Sequence, residues 1–468
     1  AGPANCVGRG SATDWLLAPD QWVSRLLVQR GLAGVFAIAF LSALNQFPAL
    51  LGERGLLPTP RYLRRTSMRR APSVFHLHYS DRFFRLVAGV GLTVSLALVA
   101  GLLDHVPIAA WLAAWGLLYV AYLSIVNVGQ VFYGFGWESL LVEAGFLALF
   151  LGPPDVAPTW VGVFMLRWVV FRLEFGAGLI KLRGDPCWRD LTCLYYHHET
   201  QPMPGPLSWY FHHLPAPLHR VEVVANHIAQ LVAPVLLFAP QPVAGVAGLV
   251  VVVTQLWLVA SGNFAWLNWL TLVLACAAFS DAQLQAVLPL AAPVPAVPAP
   301  PAWYLGVVLA GGVLVAVLSY WPVRNLASRR QAMNASFNPF HLVNAYGAFG
   351  SITRRREEVV IEATLDEPGP GARWEAYEFR GKPTDPHRRP RQVAPYHLRL
   401  DWLAWFVPLA PVYGQLLLPP LLGRLLAADR ATLRLLRRAP FGDRPPRAVR
   451  VRLFRYRFTT WAERRATG

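Results

Sequence analysis

Lysine is almost missing from this chain. Of its 43 basic residues only Lys181 and Lys382 are lysine, and the rest are arginine. Arginine stays charged in any protein environment, whereas a desolvated lysine can lose its proton and act as a base or nucleophile. Cysteine is scarce too. Four cysteines in 468 residues exclude a disulfide scaffold. Cys6 and Cys276 read as incidental. Cys187 and Cys193 share one polar loop, and they either pair in an oxidising compartment or stay as free thiols. The opening residues AGPANCVGRG lack a signal-peptide layout, so export is expected to rest on the first apolar span. The absence of a fixed-period repeat weighs against a repeat-built transporter. No nucleic-acid motif accompanies the basic charge, so no nucleic-acid partner is expected.

What is present is apolar. Hydrophobic residues make up 55% of the chain and mean hydropathy is +0.37, which reads as a polytopic, integral membrane protein. Candidate spans are Gly31 to Leu51, Leu86 to Leu103, Val106 to Val126, Trp160 to Leu182, Val221 to Ala239, Val243 to Ser261 and Ala302 to Trp321. Two shorter runs, Ser139 to Leu151 and Phe264 to Phe279, are read as tilted or partly inserted. The expected fold is mostly α: a transmembrane bundle of about eight or nine helices over 1–321, then a basic, mainly β, soluble domain over 322–468. Proline-rich 289–301 reads as a semi-rigid linker into the last span.

Charge sets an expected orientation. Net charge is +17, and the residues from Pro322 onward hold most of it, which suggests anionic lipid head groups as partners. The arginine-rich loop from Gly52 to Arg85 should be cytoplasmic by the positive-inside rule. Counting nine helices onward puts Gln130 to Glu138, Arg183 to Arg220 and the C-terminal domain on the same side. The opposite loops hold Asp104, Asp155 and Asp281. Only Arg9, Arg25 and Arg30 break this pattern. In the C-terminal part, Glu358 to Thr364, Trp374 to Phe379 and Val449 to Phe458 alternate as strands, the last with a phase slip at Leu453–Phe454 that suggests a bulge. Leu400 to Phe406 and Leu416 to Arg438 read as helices. The second is amphipathic and basic, suited either to a membrane surface or to covering a sheet.

Arg167, Glu174 and Lys181 are spaced seven apart, which keeps them within about 40° on one helix face. A charged stripe at membrane depth needs partners or a wet pocket. Glu143 sits in the preceding short run. The following span offers Glu222, Asn226 and Gln230 at four-residue spacing, with His227 beside them. Two readings stand: an interhelical polar lock, or a hydrated pocket with Lys181 as proton-transfer group and Glu174, Glu143 and His227 around it. The next loop, LRGDPCWRDLTCLYYHHETQPMPGPLSWYFHHLPAPLHR, gathers His197, His198, Glu199, His212, His213 and His219 among aromatics such as Trp188 and Trp209. Its spacing matches no zinc motif, and neither a metal nor a cofactor is expected. It reads as a structured loop folded over the bundle.

These same residues carry a resemblance. GQVFYGFGWESLLVEAGFLALFL and RWVVFRLEFGAGLIKLRGDPCWRDLTCLYYHHETQPMPGPLSWY resemble the lipase maturation factor family. So do NPFHLVNAYGAFGSITRRREEVVIEAT, WEAYEFRGKPTDPHRRP, PYHLRLDWLAWF and the tail APFGDRPPRAVRVRLFRYRFT. The resemblance runs from about Gly129 to the C-terminus. Where the family pattern puts an aromatic before Glu199, this chain has His198. The resemblance implies a multispanning membrane factor that helps exported clients, lipases above all, to fold, rather than an enzyme with a defined reaction. Arg167, Trp188, His197, Glu199, Trp209 and Glu222 are the expected binding residues. Family members in eukaryotes reside in the endoplasmic reticulum membrane. The alanine- and arginine-rich composition here resembles a high-GC bacterium, which implies a plasma membrane. A shorter stretch, FGAGLIKLRGDPCWRD, is similar to the lysine-bearing segment of vitamin K-dependent gamma-glutamyl carboxylases, with Lys181 and Trp188 on the matching positions. It implies the enzymatic alternative, with Lys181 as base. The charge rule and the maturation role imply opposite orientations for the loop from Arg183 to Arg220.

Overall fold

The computed structural model describes residues 14–288 and 295–467; Cys6, Arg9 and the first part of the proline linker lie outside them. Helices α1 (Trp22–Leu51), α2 (Asp81–Ala100), α3 (Ile108–Val128), α4 (Gly136–Ala148), α5 (Trp160–Arg183), α6 (Leu194–Thr200), α7 (Ala216–Leu231), α8 (Val243–Ser261), α9 (Leu267–Ala275) and α10 (Ala302–Leu318) build the bundle. By length and composition five segments can cross a membrane: Pro19–Leu51, Asp81–Ala100, Ile108–Val128, Val243–Ser261 and Ala302–Ala327. Helix α5 has 24 residues, but Arg167, Arg172, Glu174 and Lys181 in it are all buried, so its charges face protein rather than lipid. The run from Val221 to Ala239 is not one helix. Helix α7 ends at Leu231 and a separate turn, Ala233–Leu236, follows, because Pro234 has no N–H to donate to the carbonyl four residues before it and its ring crowds that carbonyl. The two short runs became α4 and α9, of 13 and 9 residues.

The connections gather at two ends. At one end Trp22 and Val23 donate their backbone N–H groups to Asp281, and Arg30 pairs with Asp104. Arg25 is buried there and donates to the carbonyls of Pro154 and Val156. These arginines are consumed by partners, which is why they break the loop-charge pattern without being free loop charges. At the other end Gln130 donates to the carbonyl of Leu57, and Asn263 donates to those of Pro204 and Arg391. The arginine-rich loop, the loop after α5 and the C-terminal part therefore share one end.

The C-terminal part forms a three-stranded antiparallel sheet, β2 (Glu375–Ala376), β1 (Arg356–Thr364) and β3 (Ala448–Tyr456), in the order β2-β1-β3. Val359, Ile361 and Ala363 of β1 are buried. The expected bulge does not form: Glu358 faces Phe454 and Val359 faces Leu453 in continuous register. Strand β3 is an edge strand, and Leu453 and Phe454 are exposed, so no core enforces alternation there. Helices α11 (Arg399–Phe406) and α12 (Pro411–Leu426) accompany the sheet. Leu417, Leu421 and Leu425 recur every four residues on α12 and are buried in the main core, so this helix is a cover rather than a free membrane-surface helix. Arg399 reaches the bundle. It is fully buried, donates to Glu138 at 2.6 Å and lies over the Tyr133 ring.

Candidate functional site

Lys181 closes the buried face of α5 and reaches α7. Its ammonium donates to Asn226 Oδ1 and Gln230 Oε1, both at 2.8 Å, and sits 4.7 Å from the centre of the Trp188 ring. Gln230 passes the connection on by donating to Glu174 at 3.2 Å. Glu174 also accepts from Gln255 of α8 at 2.6 Å, and Gln255 accepts from Asn268 of α9. Four helices are thus tied by one buried polar chain. The seven-residue spacing of Glu174 and Lys181 puts them on one face, and the four-residue spacing of Asn226 and Gln230 presents both amides to that face. Glu174 and Lys181 do not touch directly; an amide stands between them.

A cavity of about 410 Å³ opens beside this chain. Leu173, Ala177, Trp188, His197, Trp257 and Phe264 form much of its wall, so a polar cluster lies at the edge of an apolar space.

The loop after α5 is ordered, as its aromatic content suggested. Cys187 and Cys193 are joined as a disulfide with Cα atoms 4.8 Å apart. The bridge packs with Trp188, Leu194, Val223 and Ile352 in a small separate core. Trp188 donates from its indole to the carbonyl of Phe349, and His197 packs edge-on against Phe349. Glu199 accepts from the backbone N–H of Phe458 at 2.7 Å, and Trp209 donates to Thr459. Both therefore hold the end of the chain. From the sheet, Arg356 donates back to the carbonyls of Gln201 and Pro202. Loop and C-terminal part form one continuous surface.

The four-residue catalytic set of Lys181, Glu174, Glu143 and His227 does not assemble. Glu143 turns to a separate cluster, pairing with Arg172 and accepting from Asn344 and Tyr346. Arg172 lies about 140° around α5 from Arg167, so it carries Glu143 to another face of the helix. His227 follows Asn226 by one residue, which turns it about 100° away. Its Nε2–H donates to the carbonyl of Trp188 at 3.1 Å. Arg167 sits two turns before Glu174 and donates to the carbonyls of Leu237 and Ala277, tying neighbouring chain ends instead of joining the stripe. Glu222 accepts from the Trp257 indole at 2.6 Å, one turn from Asn226.

Sequence reasoning missed Gln255, Asn268 and Arg172. Gln255 carried a usable signal, since it is a lone amide inside the apolar run VVVVTQLWLVAS.

The pattern described as the lipase maturation factor transmembrane domain matches residues 23–286, and the lipase maturation factor C-terminal domain matches residues 342–468. This chain belongs to the lipase maturation factor family. It is 42% identical over 489 residues to lipase maturation factor 1 of Bos taurus, covering 95% of this chain and 86% of that protein. Against lipase maturation factor 1 of Homo sapiens the identity is 41%, with 94% and 83% covered. Lipase maturation factor 2 of Homo sapiens is 29% identical, with 93% and 79% covered. No solved structure matches. The two family domains meet in this fold at Arg399 with Glu138 and at Arg356 with Gln201.

Proposed function

We propose that this chain is a membrane-embedded maturation factor for exported proteins, with lipases as its clients. The supporting observation is that both domains of the family are present and are built into one end of the bundle. There the disulfide-closed loop and the C-terminal part are joined through Glu199, Trp209 and Arg356. This end faces the compartment in which exported clients fold. A disulfide at Cys187–Cys193 is suited to an oxidising compartment, and it outweighs the arginine content of the first loop in setting the orientation. The membrane is the plasma membrane if the source is bacterial and the endoplasmic reticulum membrane otherwise. The basic C-terminal part adds contact with anionic lipid head groups. In the bundle, the chain from Lys181 to Asn268 acts as a polar lock that keeps four helices in register under the client surface. The carboxylase-like alternative gains no support, because its catalytic set is dispersed and Lys181 is engaged by two amides and an indole.

The test is co-expression with a secreted lipase in cells lacking a factor of their own. Active enzyme per molecule of lipase should rise with the wild-type chain. It should fall back when Trp209 and Glu199, which hold the C-terminal end, are replaced together by alanine. Unchanged lipase activity with and without a well-folded chain would refute the reading.

A further inference from the structure

We propose that His198, His219 and Glu222 bind a divalent transition-metal ion, zinc by the chemistry of the set, at the wall of the cavity beside Lys181. One ligand atom from each lies within 4.8 Å of the others. His219 and Glu222 are three residues apart on α7 and share a face. His198 comes across from α6. No linear zinc motif results, because the third ligand is supplied by the fold and not by spacing along the chain.

The unpartnered acceptors around this set suit a cation. His219 Nε2 faces the carbonyl of His212 at 3.3 Å, and a carbonyl can only accept, so that nitrogen carries the proton. In the neutral ring Nδ1 then carries the lone pair, 3.7 Å from Glu222 Oε2, which is also an acceptor. Neither atom has a hydrogen-bond partner among the described residues. Glu222 Oε1 accepts from the Trp257 indole, which holds the carboxylate in place. Both ring nitrogens of His198 are buried and without a hydrogen-bond partner, and its Nε2 is 3.9 Å from Glu222 Oε1. His198 and His219 are 1% and 2% exposed, so water does not supply the missing donors freely. Lone pairs that face one another in a buried site are unfavourable, and a cation between them removes the cost.

The set also has the accessories of a metal centre. A backbone carbonyl on the far nitrogen of His219 fixes the tautomer and orients the ring, as outer partners of metal-bound histidines do. Two imidazoles and a carboxylate are the three protein ligands of an open zinc site, which keeps a fourth position for water or substrate. Donor atoms on such a zinc are about 3.3 Å apart, so these atoms, which lie within 4.8 Å of one another, need to close by up to about 1.5 Å. His198 and Glu222 both line the cavity, so the fourth position belongs to that space.

The experiment uses the full-length chain in detergent, purified through a tag without histidine and stripped with chelator. Zinc content is measured by mass spectrometry after incubation with Zn²⁺ and desalting. A parallel sample with Co²⁺ is read by visible absorption. The wild type should hold one zinc and give the visible bands of tetrahedral cobalt. His219→Ala and Glu222→Gln should each lose zinc affinity by more than the about 10–100-fold typical of outer partners. His105→Ala, an exposed histidine at the opposite end, should bind like the wild type. If His219→Ala fails size-exclusion chromatography, Glu222→Gln carries the test, since its amide oxygen still accepts from Trp257. A folded wild type that takes up no zinc overturns the proposal. So do folded variants that bind as well as the wild type, since His219 and Glu222 would then be no more than a buried ion pair.

Discussion

The two lysines occupy opposite kinds of cage. Lys382, in the C-terminal part, lies 2.9 Å from the Glu358 carboxylate, which Arg356 also engages at 3.0 Å. Lys181, in the bundle, meets two neutral amide oxygens and the Trp188 ring, with its nearest carboxylate one amide away. Both side chains are buried, at 1% and 5% exposure of the residue. The difference separates two uses of a buried charge. Lys382 belongs with Arg172–Glu143 and Arg399–Glu138, pairs in which a full opposite charge compensates burial. Lys181 is held by dipoles next to a cavity, an arrangement that leaves its position less tightly fixed by charge.

The sharpest way to break this contrast is to remove each amine. Lys382→Met leaves the buried Glu358 with one cation instead of two. It should lower stability by about 3 kcal/mol, at the low end for a broken buried pair. Lys181→Met leaves two neutral acceptors unpaired and should cost about 1–3 kcal/mol. Thermal melts in detergent measure both. A larger loss at Lys181 would reverse the contrast.

The disulfide gives a second comparison, between the closed loop and the C-terminal strands it touches. Cys187→Ser opens a very short loop and should cost about 2 kcal/mol. The loss should appear first as protease cleavage between 183 and 220, with the sheet still intact. Simultaneous cleavage of loop and sheet would mean that the two unfold as one body.

The smallest expected effect is in pH. Burial pushes the Glu358 carboxyl up, and Lys382 and Arg356 together outweigh it and hold the group below its ordinary 4.5. A depressed carboxyl contributes stability that is fully present above its unfolded value and is lost as pH falls through the folded one. Melting temperature should therefore drop as pH goes below about 4.5, and Glu358→Gln should flatten that part of the profile. A variant that keeps the full acid slope would assign it to other carboxylates.

The bundle was legible because apolar runs of span length are a direct physical signal, and the two long strands were legible from alternation, whereas of the run Trp374 to Phe379 only Glu375–Ala376 forms a strand. The shared face of Glu174, Lys181, Asn226 and Gln230 followed from helical periodicity. What periodicity could not give was the partner of a group with several choices. Glu143 chose Arg172, a residue off the stripe, and His227 chose a loop carbonyl. Arg25 and Arg30 looked like topology signals, yet their charges are spent on carbonyls and Asp104. The meeting of His198 with His219 and Glu222 depends on how the loop after α5 folds back, and no local spacing encodes that.

The proposed role depends on which way the shared end faces. Small reporters inserted at Ser67, Leu207 and Ser351, in the first loop, the loop after α5 and the C-terminal part, would measure it directly. All three sit at one end of the bundle, so all three must agree. All three should report the exported side. Three cytoplasmic reports would contradict that role and restore the orientation that the arginine-rich loop suggests.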